Sequence, residues 1–420
     1  MTYATLAVQT QGSGAVRLND DTITSDLEAV SSPNAGAGSP ITVTNSSLEG
    51  GIDINCPSSL TVTDNTITSS GRGIESYCNA VGSAVESTVD IANNHVTITA
   101  HGGDPAISVA ASNLNFTALA SNTITAPPES NAVAVDGEVN VSEAMPATPF
   151  PWEISGYAVV DVPSGVTLTV KPGAVIKASG GGACPASECS ISVEGTLDAA
   201  GSVSQPITFT SVNDNTVGGA TGSGEPKASE WAGIYLSDSG EIMLDDARIS
   251  YATDGIDSVS HGKLTIGSSA TANKTKFMDN SVALYIAATP AIPGGQSGTN
   301  AAIHGVWFDS NGRALDGSSV WNPGFPDPPV PCTYYIPEME AEGNTYGQGQ
   351  NPEPFVSASD DTAIELAIAG GADQFPDGWT SDITPWPNSG TPTDTITWQV
   401  LACTDDADPQ PVVATPFDTG

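Results

Sequence analysis

The chain has 420 residues, 10 of them Lys or Arg and 48 Asp or Glu, for a net charge of −38. So acidic a chain repels nucleic-acid phosphates and anionic lipid headgroups, which makes both poor partners; no nucleic-acid partner is expected. Gly (44) and Pro (31) are frequent and aromatics make up only 6%, a usage that favours short strands and turns over helices.

Charged residues still total only 14%. Scarce Lys with abundant Ser and Thr is the usage of secreted and cell-surface proteins. The opening "MTYATLAVQTQ" lacks the basic-then-apolar order of a signal peptide. No run of 18 apolar residues offers a membrane span. The expectation is a mature extracellular chain or a piece of a longer one.

Residues 17–125 repeat themselves. Apolar Leu18, Val43, Val62, Ile91 and Leu119 are each followed three residues later by Asp21, Ser46, Asn65, Asn94 and Asn122. Two positions further on stand Ile23, Leu48, Ile67, Val96 and Ile124. One such unit cannot bury a face alone, so units must stack into a shared core. A parallel β-helix satisfies this, with apolar columns along its axis and insertions at its corners. In that reading Asn65, Asn94 and Asn122 each take a left-handed bend and join a side-chain amide ladder, which Asp21 and Ser46 interrupt. Cys56 and Cys78 stand about one repeat apart and are read as a disulfide between neighbouring units. The pairs Thr22/Thr24, Thr66/Thr68 and Thr123/Thr125 form two columns of the kind that binds ice, interrupted by Glu49 and His95.

The Pro-rich "EAMPATPFPW" (143–152) is read as a joint between a first β-helical segment, 1–142, and a second, 153–320. In the second, "VPSGVTLTVKPGAVIKASG" (162–180) and "ISVEGTLDAAGSVSQPITFTS" (191–211) alternate as half-buried strands. "KPG" (171–173) supplies a turn with Gly where a positive φ is needed. Trp231, opening "WAGIYLSDSGEIMLDDARISYATDGI" (231–256), reads as a core aromatic. Ile249, Phe277 and Phe308 begin "ISYATDGI", "FMDNSVAL" and "FDSNGRAL", which reach Ile256, Leu284 and Leu315.

The phrases at 162–180, 191–211 and 231–256, in this order over about 100 residues, resemble the right-handed parallel β-helix repeat proteins of bacterial surfaces, which share the pectate-lyase-like fold. The resemblance implies an all-β, right-handed parallel β-helix, an irregular solenoid. It does not imply one function, because the fold carries lyases, hydrolases, adhesins and passive stalks alike. The resemblance also implies that "VPSGVTLTVKPGAVIK" opens a β-helical unit, yet it appears only at 162–177, although repeats already fill 17–125. An uncovered first edge is therefore expected, to be closed by residues 1–16, by a preceding segment or by another copy of the chain.

Cys184 and Cys189 flank "PASE" and can close a small ring; Cys332 and Cys403 then pair by elimination. Residues 321–420 lack the repeat and read as a Pro/Trp-rich acidic cap or small β/loop module, with "TDTITWQVLAC" (393–403) its clear strand. Its Asp405, Asp406 and Asp408 have the oxygen ligands Ca²⁺ prefers but lack the Gly and Glu of an EF-hand loop. No other cofactor is implied.

For chemistry, Asp245, Asp246, Asp279 and Asp309 stand near related repeat positions, and glycoside hydrolysis needs two carboxylates about 5–10 Å apart. Pairs come cheaply among 48 carboxylates, and the four Arg (Arg17, Arg72, Arg248, Arg313) are isolated, unlike a uronate lyase site. The sequence therefore favours a non-catalytic extracellular surface protein, such as an adhesin, stalk, filament or lattice component. It would be a rigid rod meeting a cell-surface glycan, a protein or copies of itself. A polysaccharide-active hydrolase or lyase is the alternative, and ice binding a remote one.

Overall fold

The structure is a computed structural model. Within residues 6–316 it describes all but 11–13, 33–39, 56, 78–87, 157, 181–189, 238, 259–261, 269–273 and 287–299; beyond 316 it describes only the backbone strands at 332–334, 338–342, 345–346, 396–397 and 401–403. The described residues are almost all strand and turn. The only helical turns among them are Phe116–Ala120 and the 3₁₀ turn Pro128–Ser130. The chain forms two compact units, residues 1–191 with 208–226, and residues 192–207 with 227–420.

In the first unit, strands pair in parallel with their counterparts one repeat later. One ladder runs Val16–Asn19, Pro40–Thr44, Ser59–Thr63 and Thr88–Ala92, and its register stacks Leu18, Val43, Val62 and Ile91. A second stacks Ile23, Leu48, Ile67, Val96 and Ile124. A third passes from Ile52 in Ser47–Asn55 to Ile74, Ile107, Val133 and Trp152, then through Val175–Ala178 to Ile207–Ser211. Leu6–Gln9 pairs with Thr22–Ser32, placing Leu6 beside Glu28. Alternation drives the ladders: Ser59–Thr63 buries Leu60 and Val62 completely while Thr61 looks outward. Each such side chain contributes roughly 1.5–3 kcal/mol by leaving water. Further along the unit Phe116, Phe150 and Trp152 meet edge-on at 5.2 and 5.8 Å, and Trp152 Nε1 donates to the Pro146 carbonyl at 2.9 Å. Residues 143–152, read as a joint, lie inside this unit, where Glu143–Met145 pairs with Leu168–Val170.

The second unit repeats the scheme. Ile249, Phe277 and Phe308 stack in one parallel ladder, and Ile256, Leu284 and Leu315 share another register. The Phe277 and Phe308 rings lie 5.6 Å apart, nearly parallel. A third ladder runs Thr196–Ala200, Glu241–Asp245, Lys263–Gly267, Asn300–His304 and Glu338–Glu342. Trp231 is buried, and its Nε1 donates to the Ser250 carbonyl at 2.8 Å. Gly233 is required there: its φ is +122°, and a Cβ would come within 1.6 Å of the Asp254 carbonyl oxygen. In the first unit the "KPG" turn closes as expected, Gly173 at φ +85° and the Ala174 N–H donating to Lys171 at 3.0 Å.

Two expectations need correction. The left-handed residue is not the ladder Asn but the one before it: Asp20, Asn45, Asp64 and Asn93 carry φ of 60, 51, 59 and 56°. The division of labour is physical, since the bend residue faces solvent while the next is buried and must satisfy backbone groups. Leu119, aligned with strand residues, is helical instead. Asn115 caps that turn, its Oδ1 accepting from Ala118 N at 2.9 Å.

Candidate functional site

The amides of Asn65, Asn94 and Asn122 form the expected ladder. Asn65 Nδ2 donates to Asn94 Oδ1 at 2.9 Å and Asn94 Nδ2 to Asn122 Oδ1 at 2.8 Å, all three residues being buried. Each also binds backbone, as when Asn94 Nδ2 donates to the Val62 carbonyl at 2.7 Å and Asn65 N to Asn94 Oδ1 at 3.1 Å. Ser46 extends the line rather than ending it: its N–H donates to Asn65 Oδ1 at 2.9 Å, and its hydroxyl accepts from Asp21 N at 3.1 Å. A second ladder, missed from the sequence, joins Asn280 Nδ2 to Asn311 Oδ1 at 2.9 Å in the second unit. Its signal was present as the Asn of "FMDN" and "FDSN".

The four candidate glycan carboxylates separate into two pairs. Asp245 and Asp246 sit at one corner, with Asp246 at φ +45°, buried, and its N–H donating to Asp245 Oδ1 at 2.9 Å. Burial, reinforced by Asp245, raises the Asp246 carboxyl. Asp279 and Asp309 lie on adjacent rungs at the next corner, joined by Asp279 N–H to the Asp309 carbonyl at 3.2 Å. The strand Ala247–Ser250 separates the corners by about 13 Å, at ~3.3 Å per residue. Cys56, Cys78, Cys184, Cys189, Asp405, Asp406 and Asp408 lie outside the described residues. Cys332 and Cys403 face each other in an antiparallel backbone register. Among the described residues no group of three or more His, Cys, Asp or Glu is placed to hold a metal. The exposed columns Thr22–Ser47–Thr66–His95–Thr123 and Thr24–Glu49–Thr68–Thr97–Thr125 are in register, with Ser47 a further departure from Thr.

A dense polar column lies elsewhere among the described residues, on the outer face of the first unit's third ladder. The register there lines up Asp53, Glu75, Ser108, Ala134, Glu153, Lys177 and Thr210 in one column. Midway along it, where side chains are small, a cleft of about 270 Å³ opens. Ser108, Ala110 and Ala134 form its floor, with Tyr77, Asp136 and Ser155 around it.

At one end of the column, burial pushes the Asp53 carboxyl up to about 6, helped by Glu28 and Glu75 and opposed by a hydrogen bond from Tyr77. Burial also raises the Tyr77 hydroxyl. Arg72 pairs with Glu75 and, at 3.2 Å, with Asp104, which holds its guanidinium above the ordinary value. Asp136 is raised by burial, although Oδ1 accepts from Val159 N at 2.9 Å. At the other end Lys177 is completely buried, and desolvation lowers its ammonium to about 8 against the pull of Asp214 and Glu153. Its Nζ donates to the carbonyls of Asp214 (2.9 Å) and Gly219 (2.6 Å) and to Thr221 Oγ1 (3.0 Å). These bonds tie residues 214–221 over the column. Glu153 beside it is raised by burial and bonded to Ser155.

The chain matches no protein-family model, no curated protein and no solved structure.

Proposed function

We propose that the chain is a non-catalytic extracellular surface protein, an adhesin or scaffold component, whose units are each a stretch of right-handed parallel β-helix. The parallel registers, the two amide ladders and the right-handed preference of parallel crossovers support the fold. The observation that carries the function is the use made of the polar groups. Lys177, the buried cation beside a buried carboxylate, has all three donors engaged in fastening a loop, and Asp246 and Asp279 sit at left-handed corners. A surface that uses its charges to hold backbone is built to present a shape. The test has two parts. Purified chain should bind cells or immobilised glycans while releasing no reducing ends from neutral or acidic polysaccharides. Peptide mapping should find Cys56–Cys78, Cys184–Cys189 and Cys332–Cys403 bridged, as an oxidising compartment requires. Free thiols at these positions would remove the extracellular assignment.

One observation favours the enzymatic reading. Asp53 and Glu75 are directly opposed on neighbouring parallel strands, which run about 4.8 Å apart, and burial raises Asp53 to about 6; a retaining glycosidase uses two carboxylates about 5 Å apart. Polysaccharide turnover abolished by both Asp53→Asn and Glu75→Gln would establish it against the preferred reading.

A further inference from the structure

We infer that the cleft floored by Ser108, Ala110 and Ala134 is a binding site for one uncharged or amine-bearing sugar ring, and that it rejects uronates. The inference rests on the surface-protein reading and gives it a ligand class.

Size comes first. The floor spans two neighbouring strands, Ile107–Ala111 and Val133–Glu138, which lie about 4.8 Å apart. Its side chains reach no further than a hydroxymethyl or methyl group, while Tyr77 and Asp136 stand beside it. At about 270 Å³ the space falls just below the ~300–1,000 Å³ that encloses a drug-sized ligand, so it suits a single ring and not an extended chain.

Chemistry comes second. Tyr77 offers a ring face next to its hydroxyl, the amphipathic surface that packs against the C–H face of a pyranose. Ser108, Ser155 and the Asp136 carboxylate supply the few convergent polar groups such a site needs to orient hydroxyls. Charge comes last and sets the class. Asp136 lines the cleft, and Asp53, Glu75 and Glu153 continue the floor's column on either side. Of the two cations nearby, Arg72 is paired with Glu75 and Asp104, and Lys177 is sealed under its loop. An anionic sugar would meet carboxylates with no cation to receive it, whereas a neutral ring or an ammonium would be accepted.

Saturation-transfer NMR and titration calorimetry on the full chain would test this with cello-oligosaccharide, chitosan oligosaccharide and oligogalacturonate as probes. Ala110→Phe, which fills a half-exposed floor position, and Tyr77→Ala serve as variants, each checked for a native melting profile. The expected result is binding of a neutral or amino sugar, at least tenfold weaker in both variants, with none of oligogalacturonate. No binding of either sugar, a preference for oligogalacturonate, or binding indifferent to both variants would overturn the inference. Reducing ends measured in the same samples separate the two proposals. Sugar bound and cleaved keeps the site and removes the non-catalytic reading; cells bound without sugar in the cleft keeps that reading and removes the site.

Discussion

Replacing Asn94 by Ala removes the middle rung of the first amide ladder, and the cost follows from its four bonds. Its side chain donates to the Val62 carbonyl and to Asn122 Oδ1, and accepts from the N–H and Nδ2 of Asn65. Asn122 Oδ1 keeps the Asn94 N–H as a partner at 2.9 Å, and Asn65 Nδ2 keeps the Val43 carbonyl at 2.9 Å. The Val62 carbonyl and the Asn65 N–H both lose the Asn94 side chain as a partner. Each buried group that loses a partner costs up to about 1–3 kcal/mol, and the cavity adds to that, since Asn94 is 1% exposed. The expected loss is about 3–5 kcal/mol. Near 2–4 °C per kcal/mol for units of ~150–250 residues, that lowers the melting temperature of the first unit by about 6–20 °C. Hydrogen exchange at strand amides 59–98 against those at 249–286 assigns the loss to that unit. Asn94→Asp keeps the shape and the acceptors but not the two donors, so it should also destabilise. A loss below about 1 kcal/mol in both variants would refute the reasoning.

Two further perturbations test the polar groups outside the ladder. Lys177→Met keeps much of the side chain's bulk but strips three acceptors of their donor, and should make residues 212–226 the first site of limited proteolysis. Because the folded ammonium is lowered from 10.5 to about 8, the unfolded chain holds the extra proton between those pH values. The stability advantage of the native protein over this variant should therefore grow as pH rises from 8 to 10.5. Asp257 is raised from 3.8 to about 6 by burial alone, so the folded state holds the extra proton and stability falls as pH climbs from 4 to 6. Asp257→Asn should stabilise the second unit at pH 7, by a linkage on the order of 3 kcal/mol at most, and lose its advantage below pH 4; equal melting at both pH values would contradict this.

What was legible in the sequence is what repetition imposes. Leu18, Val43, Val62 and Ile91 must stack because each repeat buries its apolar face only against the next, so one column of the alignment became one column of the molecule. Asn65, Asn94 and Asn122 were readable for the same reason. Asn280 and Asn311 were passed over because "ISYATDGI" has Ala252 in the ladder position, so that family of repeats shows Asn in only two of three. There Ala252 contributes its backbone N–H, which donates to Asn280 Oδ1 at 2.9 Å. The bend residue was misassigned by one place because Asn, Asp and Ser serve both roles, and only burial tells them apart.

The outer face was illegible for the opposite reason. A side chain pointing outward from a stacked strand is free of the repeat, so Asp53, Glu75, Ser108, Ala134, Glu153 and Lys177 have no common chemistry to align on. Their neighbourhood exists only once the registers are known, across a sequence separation from 53 to 177. The same freedom is what makes this face the place for specificity. Inner positions are bound by their neighbours above and below, whereas Ser108 or Ala134 can change with little cost to the stack. A ligand site on such a scaffold is therefore expected where the outer column breaks from bulky to small side chains, as it does between Glu75 and Glu153.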